Sequence, residues 1–277
     1  MGRVDLHVHT NYSDGIMDPF AVVQEALKKN IVAIGITDHD TMDGVSSAER
    51  AGKMCGIEVV PGIEFSADHN GKEVHILGYY CDRESRELKQ TLRDLKRSRL
   101  ERMTRMVQKL NRLNLDVNLD EVQKLTKGKI LGRPHLALAL CRKGYCKTTA
   151  EAFSKYIGSN APAYVKRFKI TTAKAVNLII KSGGIPVLAH PGLYNADEII
   201  PDLARTGLVG IEVFHPDHLL FDIFRYKKMA SKYNLLVTGG SDFHGAGAGS
   251  SPFLGYVTVD SQHLEKMKKY KQDKNYF

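Results

Sequence analysis

Arg3-Val4-Asp5-Leu6-His7-Val8-His9-Thr10-Asn11-Tyr12-Ser13-Asp14-Gly15 begins as a strand-like alternation and runs into two histidines, a turn and an aspartate. Successive side chains of a strand point to opposite faces, so His7 and His9 face the same way and two imidazoles can meet one ion. Asn11 to Gly15 has turn composition, which can fold the Asp14 carboxylate back over the same place. One such pair is weak, because hydrogen-bonded histidine pairs are common on protein surfaces. The same event recurs along the chain.

Short apolar runs predict strands at Val4–His9, Ile31–Thr37, Ile57–Glu64 and Glu73–Tyr79. Asp18-Pro19 opens a helix between the first two, and a second helix is expected from Val45 to Met54, stopped by Gly56. Strand and helix alternate, which argues for parallel strands joined by crossover helices. The rhythm changes after Asp82. From Glu84 to Asn111 there is no Pro or Gly, and Leu88, Leu92, Leu95, Leu100, Met103, Val107 and Leu110 keep helical spacing. Further helices are expected at Leu119–Leu125, His135–Lys143 and Thr149–Tyr156. The earlier alternation then returns: helix Ile170–Ser182, strand Ile185–Ala189, helix Ala196–Arg205 broken or restarted at Pro201, and strand Gly210–Phe214. Helix Asp217–Tyr233 and strands Leu235–Gly240 and Gly255–Val259 complete it. The expectation is an α/β barrel built from residues 1–83 and 166–277, interrupted by a helical insertion over 84–165 that contributes substrate contacts.

Strand after strand ends in a potential metal ligand. His39 lies in Thr37-Asp38-His39-Asp40, Glu64 in Gly62-Ile63-Glu64-Phe65, and His75 on the fourth strand. His190 follows Val187-Leu188-Ala189, and Asp242 and His244 follow Leu235–Gly240, again two residues apart. In a parallel barrel such ends share one face. His7, His9, Asp14, His39, Glu64, His75, His190, Asp242 and His244 are therefore the candidate ligands. Imidazoles and carboxylates without thiolate suit Zn²⁺, Mn²⁺ or Fe²⁺. The set is too large for one ion and fits two or three if a carboxylate bridges. Clustered divalent ions turn water into hydroxide and neutralise phosphoryl charge, so a phosphoester is the expected substrate. Asp38 and Asp40 flank His39 and are expected to orient ligands from behind.

Composition sets the limits. The 277 residues are 43% hydrophobic and 26% charged, ordinary globular values. No apolar run approaches the ~20 residues that cross a bilayer, and Met1 to Arg3 has no signal-peptide character, so a cytoplasmic location away from membranes is expected. Cys55, Cys81, Cys141 and Cys146 show no CxxC spacing and read as buried small residues. A formal charge of +9 favours an anionic partner, whether phosphorylated metabolite, nucleotide or short oligonucleotide. The basic runs Lys89–Arg112 and Lys266–Lys274 carry much of that charge and read as solvated faces. Gly239-Gly240 and the run Gly245–Gly249 lack a P-loop's Lys and Ser/Thr and read as room for the site and its rim.

The segments HVHTNYSDG, TDHD, PGIEF, HILGYY, AHPG and GSDFH resemble, in order, the motifs of the PHP (polymerase and histidinol phosphatase) family. GRPH at Gly132–His135 further resembles the subgroup of nucleoside 3',5'-bisphosphate phosphatases and the related small-RNA exonuclease. The resemblance implies a distorted (β/α)7 barrel with a trinuclear site. His7, His9, Glu64 and Asp242 would hold one ion, Asp14, His39 and His244 a second, and Glu64, His75 and His190 a third, with no expected ligand missing. It also implies that Arg133 and His135 are catalytic and contact the substrate phosphate, Arg133 by its planar fork and His135 by protonating the leaving group. By position, His215 and His218 are expected at the mouth of the site, and Lys166, with Arg167 and Lys169, at a second phosphate. His69 and His263 read as surface histidines. The activity expected is hydrolysis of a phosphomonoester on a 3',5'-bisphosphonucleoside. The alternatives are 5'-3' exonuclease action on short RNA or DNA, a histidinol-phosphate-type phosphatase, and a non-catalytic nucleic-acid-binding module.

Overall fold

Val4, Leu6 and Val8 bury completely in strand β1 (Arg3–Val8), and Asp5 and His7 between them are equally buried. A strand covered on both faces belongs inside a wrapped sheet. The computed structural model that shows this describes residues 2–126, 131–195, 197–245 and 252–274. Helix α1 (Pro19–Lys28) starts where Asp18 Oδ1 accepts the Ala21 N–H at 2.9 Å, and it buries Val22, Val23 and Ala26. It leads to β2 (Ile31–Ile36), parallel to β1, and α2 (Val45–Cys55) leads to β3 (Glu58–His69), parallel to β2. Gly56 ends α2 with φ +69°, a left-handed turn that suits glycine.

The parallel rule then breaks. Strand β4 (Lys72–Tyr79) pairs antiparallel with β3 through the tight turn Asn70-Gly71, whose φ values of 52° and 87° are those of a hairpin. A two-residue connection can only join antiparallel strands, and Asn-Gly is its sequence signature. The expectation of uniformly parallel strands is corrected here.

The chain divides into two compact units, Met1–Gln90 with Ile170–Phe277, and Thr91–Lys169. The second is helical. It contains most of α3 (Arg86–Arg112), then α4 (Leu119–Leu125), α5 (Arg133–Arg142) and α6 (Thr149–Ala152), which continues as one π-helical turn over Phe153–Ile157. Met106, Leu110, Val122, Leu136 and Leu140 are fully or almost fully buried in one apolar cluster, so this unit has its own core. Asn118 and Glu121 cap α4 reciprocally.

The first unit resumes with β5 (Ile170–Thr171), paired to β3, then α7 (Thr172–Lys181) and β6 (Ile185–Leu188), antiparallel to β4. Pro201 lies in the first turn of α8 (Ile200–Thr206), so it restarts the helix after short 3₁₀ turns at Pro191–Tyr194 and Asp197–Ile199. Strand β7 (Gly210–Phe214), α9 (Leu220–Lys232) and β8 (Leu236–Gly239) follow. The expected strand Gly255–Val259 shrinks to β9 (Val259–Asp260), antiparallel to β1, and the basic C-terminal run forms α10 (Ser261–Lys274), which buries Leu264 and Met267.

The sheet path is β8-β7-β6-β4-β3-β2-β1-β9. The segment after β8 returns to β1, where Val8 bridges Phe243 and the His9 N–H donates to Phe243 O at 2.9 Å, so the sheet nearly closes into a distorted barrel. Buried Asp5 ties the seam. It accepts the Ser241 N–H and hydroxyl at 2.9 and 2.6 Å and the Gly255 N–H at 2.9 Å, while burial pushes its carboxyl up to about 6. Among the described residues no helix is long and apolar enough to cross a membrane.

Candidate metal centre

Glu64 lies mid-strand on β3, almost wholly buried, with imidazoles on every side. Its Oε1 is 2.8 Å from His75 Nδ1 and 3.1 Å from His190 Nε2. Its Oε2 is 3.1 Å from His39 Nδ1, 3.2 Å from His9 Nε2 and 3.5 Å from His7 Nε2. Asp242 Oδ1 is 3.3 Å from His7 Nε2 and 3.1 Å from His9 Nε2. Asp14 stands 3.5 Å from His9, 3.3 Å from His244 and 3.7 Å from His39. All nine residues expected as ligands therefore meet in one place. His75 arrives by an unforeseen route: β4 runs antiparallel, so its early residues, not its late ones, come level with the ends of β1 and β2.

The loops bearing these groups are braced. Asp38 accepts the Thr10 N–H at 2.8 Å, the Thr10 hydroxyl at 2.6 Å and the Ser13 hydroxyl at 2.5 Å, which shapes the turn before Asp14. Asp40 accepts the Ser66 N–H at 3.1 Å. His190 and Asp242 hold φ of 24° and 50°, left-handed conformations that cost a side-chain-bearing residue ~1 kcal/mol or more. Both are aimed inward by that backbone.

The electrostatics of the cluster set its rings against one another. Burial would raise the Glu64 carboxyl, but His39, His75 and His7 hold it well below the usual carboxylate range. Burial would lower His9, yet Asp242 and Glu64 raise it to about 10. His39 goes the other way, to about 4, because burial outweighs its acidic neighbours. Rings with opposed preferences share one carboxylate, and His7 Nε2, His9 Nε2, His39 Nδ1, Glu64 Oε2 and Asp242 Oδ1 are buried without a hydrogen-bond partner. Orphaned buried polar atoms are costly. Two ligands each ~2.1 Å from one ion, at ~90–110° to one another, lie about 3.0–3.4 Å apart, close to the spacing of these atoms. Divalent cations thus fit this donor set, and the described residues offer compatible groupings: His7, His9, Glu64, Asp242; His9, Asp14, His39, His244; and His39, Glu64, His75.

Glu212 was missed from the sequence. Fully buried on β7, it accepts from His7 Nδ1 at 3.0 Å and from the His190 N–H at 2.9 Å. His7, His190 and Glu212 could also be taken as a metal trio. Because His7 already presents Nε2 to Glu64 and Asp242, we read Glu212 as the acceptor that fixes the tautomer. Its signal was a lone acid inside the apolar run Ile211-Glu212-Val213. Tyr194, four residues past His190, places its hydroxyl 2.8 Å from His190 Nδ1.

A profile of the PHP domain matches residues 5–169. A phosphoribosyl 1,2-cyclic phosphate 1,2-diphosphodiesterase from Eggerthella lenta is 32% identical over 91% of this chain and 97% of its own length. A 3',5'-nucleoside bisphosphate phosphatase from Chromobacterium violaceum is 31% identical over 90% of each, and a 5'-3' exoribonuclease from Haemophilus influenzae is 30% identical over 87% and 90%. A crystal structure from Bifidobacterium adolescentis, described as a metal-dependent phosphoesterase, superimposes with a TM-score of 0.84 at 30% identity over 95% of this chain and 94% of that one. The chain belongs to the PHP family. It is a metal-dependent hydrolase of phosphoester bonds.

The other expected contacts of this PHP protein divide. His215 Nε2 lies 3.5 Å from Asp242 Oδ2, and its Nδ1 accepts the Asp217 N–H, so the neutral ring carries its proton toward the centre. His218 is committed to the backbone: Nδ1–H donates to Val213 O at 2.9 Å and Nε2 accepts the Gly192 N–H at 3.1 Å. A substrate contact there would have to break one of those bonds. Arg133 and His135 open α5 in the helical unit, where Arg133 lies over Phe153 and Tyr164 and His135 Nδ1 accepts the Gly132 N–H at 3.2 Å. Lys166 is exposed in the same unit. His69 and His263 bond Thr172 and Val237 O, away from the cluster. Gly245 is described, while residues 246–249 of the glycine run lie outside the described residues.

Proposed function

We propose that the chain removes one phosphoryl group from a nucleotide-like substrate of the 3',5'-bisphosphonucleoside type. The observation that carries the reading is the set of buried, unpartnered donor atoms around Glu64 and Asp242, a centre with the charge and spacing for divalent ions. The substrate class is supported by the Gly132–His135 motif and by the Chromobacterium violaceum relative. In this proposal Mn²⁺, Fe²⁺ or Zn²⁺ would be held by His7, His9, Glu64 and Asp242, by Asp14, His39 and His244, and by Glu64, His75 and His190. Such ions, when bound, neutralise phosphoryl charge and acidify water.

The chain's own groups do the remaining work. Glu212 keeps the proton of His7 on Nδ1, so Nε2 presents a lone pair to the centre. His244 is held likewise, with Nδ1–H donating to Asp242 O at 2.8 Å and Nε2 toward Asp14. Gly132 N–H donates to His135 Nδ1, so the neutral ring carries its proton on Nε2, the atom we assign to protonating the leaving oxygen. Arg133 supplies a planar fork for phosphoryl oxygens.

Two further readings have specific support. The Haemophilus influenzae relative and the charge of +9 favour 5'-3' exonuclease action, and the Eggerthella lenta relative favours a cyclic phosphodiester. One panel separates them: 3',5'-bisphosphoadenosine, a short 5'-phosphorylated RNA and phosphoribosyl 1,2-cyclic phosphate, each with Mn²⁺. The highest kcat/KM should fall on the bisphosphate. A higher value for mononucleotide release or for ring opening would replace the reading. Wild-type turnover by Asp242→Ala or His39→Ala would remove the centre from the chemistry.

A further inference from the structure

His190 stands at the head of a tight turn that ends on an aromatic ring. The 3₁₀ turn Pro191–Tyr194 is bounded by His190 at φ 24° and Asn195 at φ 49°, and the Leu193 N–H donates to His190 O at 3.1 Å. The Gly192 N–H donates to His218 Nε2 at 3.1 Å, which moors the turn to a ring that itself donates to Val213 O on β7. Tyr194, at the end of the turn, doubles back on its start. Its ring centroid lies 5.3 Å from that of His190 and 5.9 Å from that of His75, and its hydroxyl is 2.8 Å from His190 Nδ1. One phenol thus packs against both histidines of the group Glu64, His75 and His190.

We propose that Tyr194 is the positioning residue that makes His190 a ligand: its hydroxyl oxygen accepts the Nδ1 proton and leaves the Nε2 lone pair facing the centre. A neutral imidazole carries one proton, and the two nitrogens of His190 face different groups. Nε2 is 3.1 Å from Glu64 Oε1, so a proton there would block the atom that points at the centre. A proton on Nδ1 is accepted by Tyr194, whose oxygen has two lone pairs. Neighbouring rings follow the same plan with charged partners. Glu212 takes the outer proton of His7, and Glu73 Oε1 lies 3.3 Å from His75 Nε2. Outer partners of ligating histidines fix ring orientation and raise ligand basicity. A neutral hydroxyl does the first with little of the second, so the ion shared by His75 and His190 is the one its loss should loosen. The inference rests on the reading of Glu64, His75 and His190 as one ion's ligands, and not on the substrate.

Zn²⁺ titration and ring-nitrogen NMR of the Zn²⁺-loaded full chain are the experiment, and neither involves turnover. The wild type should show a downfield His190 Nδ1–H protected from exchange. Tyr194→Phe keeps the ring and removes the oxygen. It should lose that protection and bind one ion roughly tenfold or more weakly, with the other ions unchanged and the Tm of the chelated chain close to wild type. Gly192→Ala, whose Cβ would lie 2.7 Å from His218 Cδ2, should displace the turn and weaken the same ion. Leu193→Ala, at an exposed position of the turn, should change neither readout. A His190 proton found on Nε2 in the wild type overturns the proposal. So does a uniform weakening of every ion in Tyr194→Phe with a lowered Tm, which would make Tyr194 a packing residue. His75→Ala separates the remaining failures: if it costs one ion while Tyr194→Phe weakens none, only the proposal falls. If it costs none, the three-ligand group falls and takes the proposal with it.

Discussion

Glu212 shows how a single buried charge supports a centre it does not enter. Its carboxylate takes the outward proton of His7 and the backbone N–H of His190, and so orients two of the proposed ligands at once. Burial opposes its ionisation, but His7, His215 and His190 keep it below the usual carboxylate range. Glu212→Gln should weaken metal binding ~10-fold and Glu212→Ala ~100-fold, with folding retained, because outer partners of ligating histidines contribute on that scale. Metal titration of the purified variants reads this directly, and wild-type affinity in Glu212→Ala would make the carboxylate merely structural. The residue escaped the sequence reading because an acid in an apolar strand does not say which histidine it faces. His7 and Glu212 are 205 positions apart, and only the closing sheet brings them together.

At the level of elements, the seam between β1 and the segment after β8 decides whether the site exists. A Cβ on Gly240 would lie 2.4 Å from His7 N and 2.5 Å from His7 Cβ, so the chain can pass there only as glycine. Gly240→Ala should destabilise by ~1–3 kcal/mol through overpacking and displace His7, seen as a lower Tm together with weaker metal binding. Loss of stability with metal affinity intact would show that the seam is not coupled to the centre. Helix α10 plays a different part. Met267, fully buried against Val4, Leu77 and Val259, underlies the same strands, and Met267→Ala should cost ~2–5 kcal/mol in denaturant unfolding. An effect below that range would mean α10 is only an appended basic tail. The charge run Lys266–Lys274 suggested a solvated face, and most of it is one; the buried Leu264 and Met267 are its opposite side.

Across the whole molecule, the centre couples stability to metal and pH. In the absence of metal, His9 lies at about 10 and His75 at about 9, against an ordinary 6.5. Burial disfavours both charged rings, and Asp242, Glu64 and Glu73 outweigh it. A native pKa above the unfolded one means the proton is held more tightly in the fold. That stability is complete below pH 6.5 and is lost as pH rises through about 9 and about 10. His39, lowered to about 4, has the opposite sign and acts below pH 6.5, outside that window. Chelated protein should therefore lose Tm from pH 6.5 upward, while metal-loaded protein should not, because the cations replace those protons. Metal uptake near pH 7 should release protons, read as a calorimetric enthalpy that varies with the buffer's heat of ionisation; uptake without proton release would contradict this charge arrangement. The sequence by itself determined most of the alternation of strands and helices, the helices α3 to α6 between β4 and β5, and the nine candidate ligands that the fold brings together, since each rests on local periodicity or on residue chemistry at a strand end. Only the tertiary structure decided that the segment after β8 returns to β1 to close the sheet, and that Glu212 stands behind His7. Those are relations between groups far apart in the chain, set by sheet closure and burial, and no local pattern encodes them.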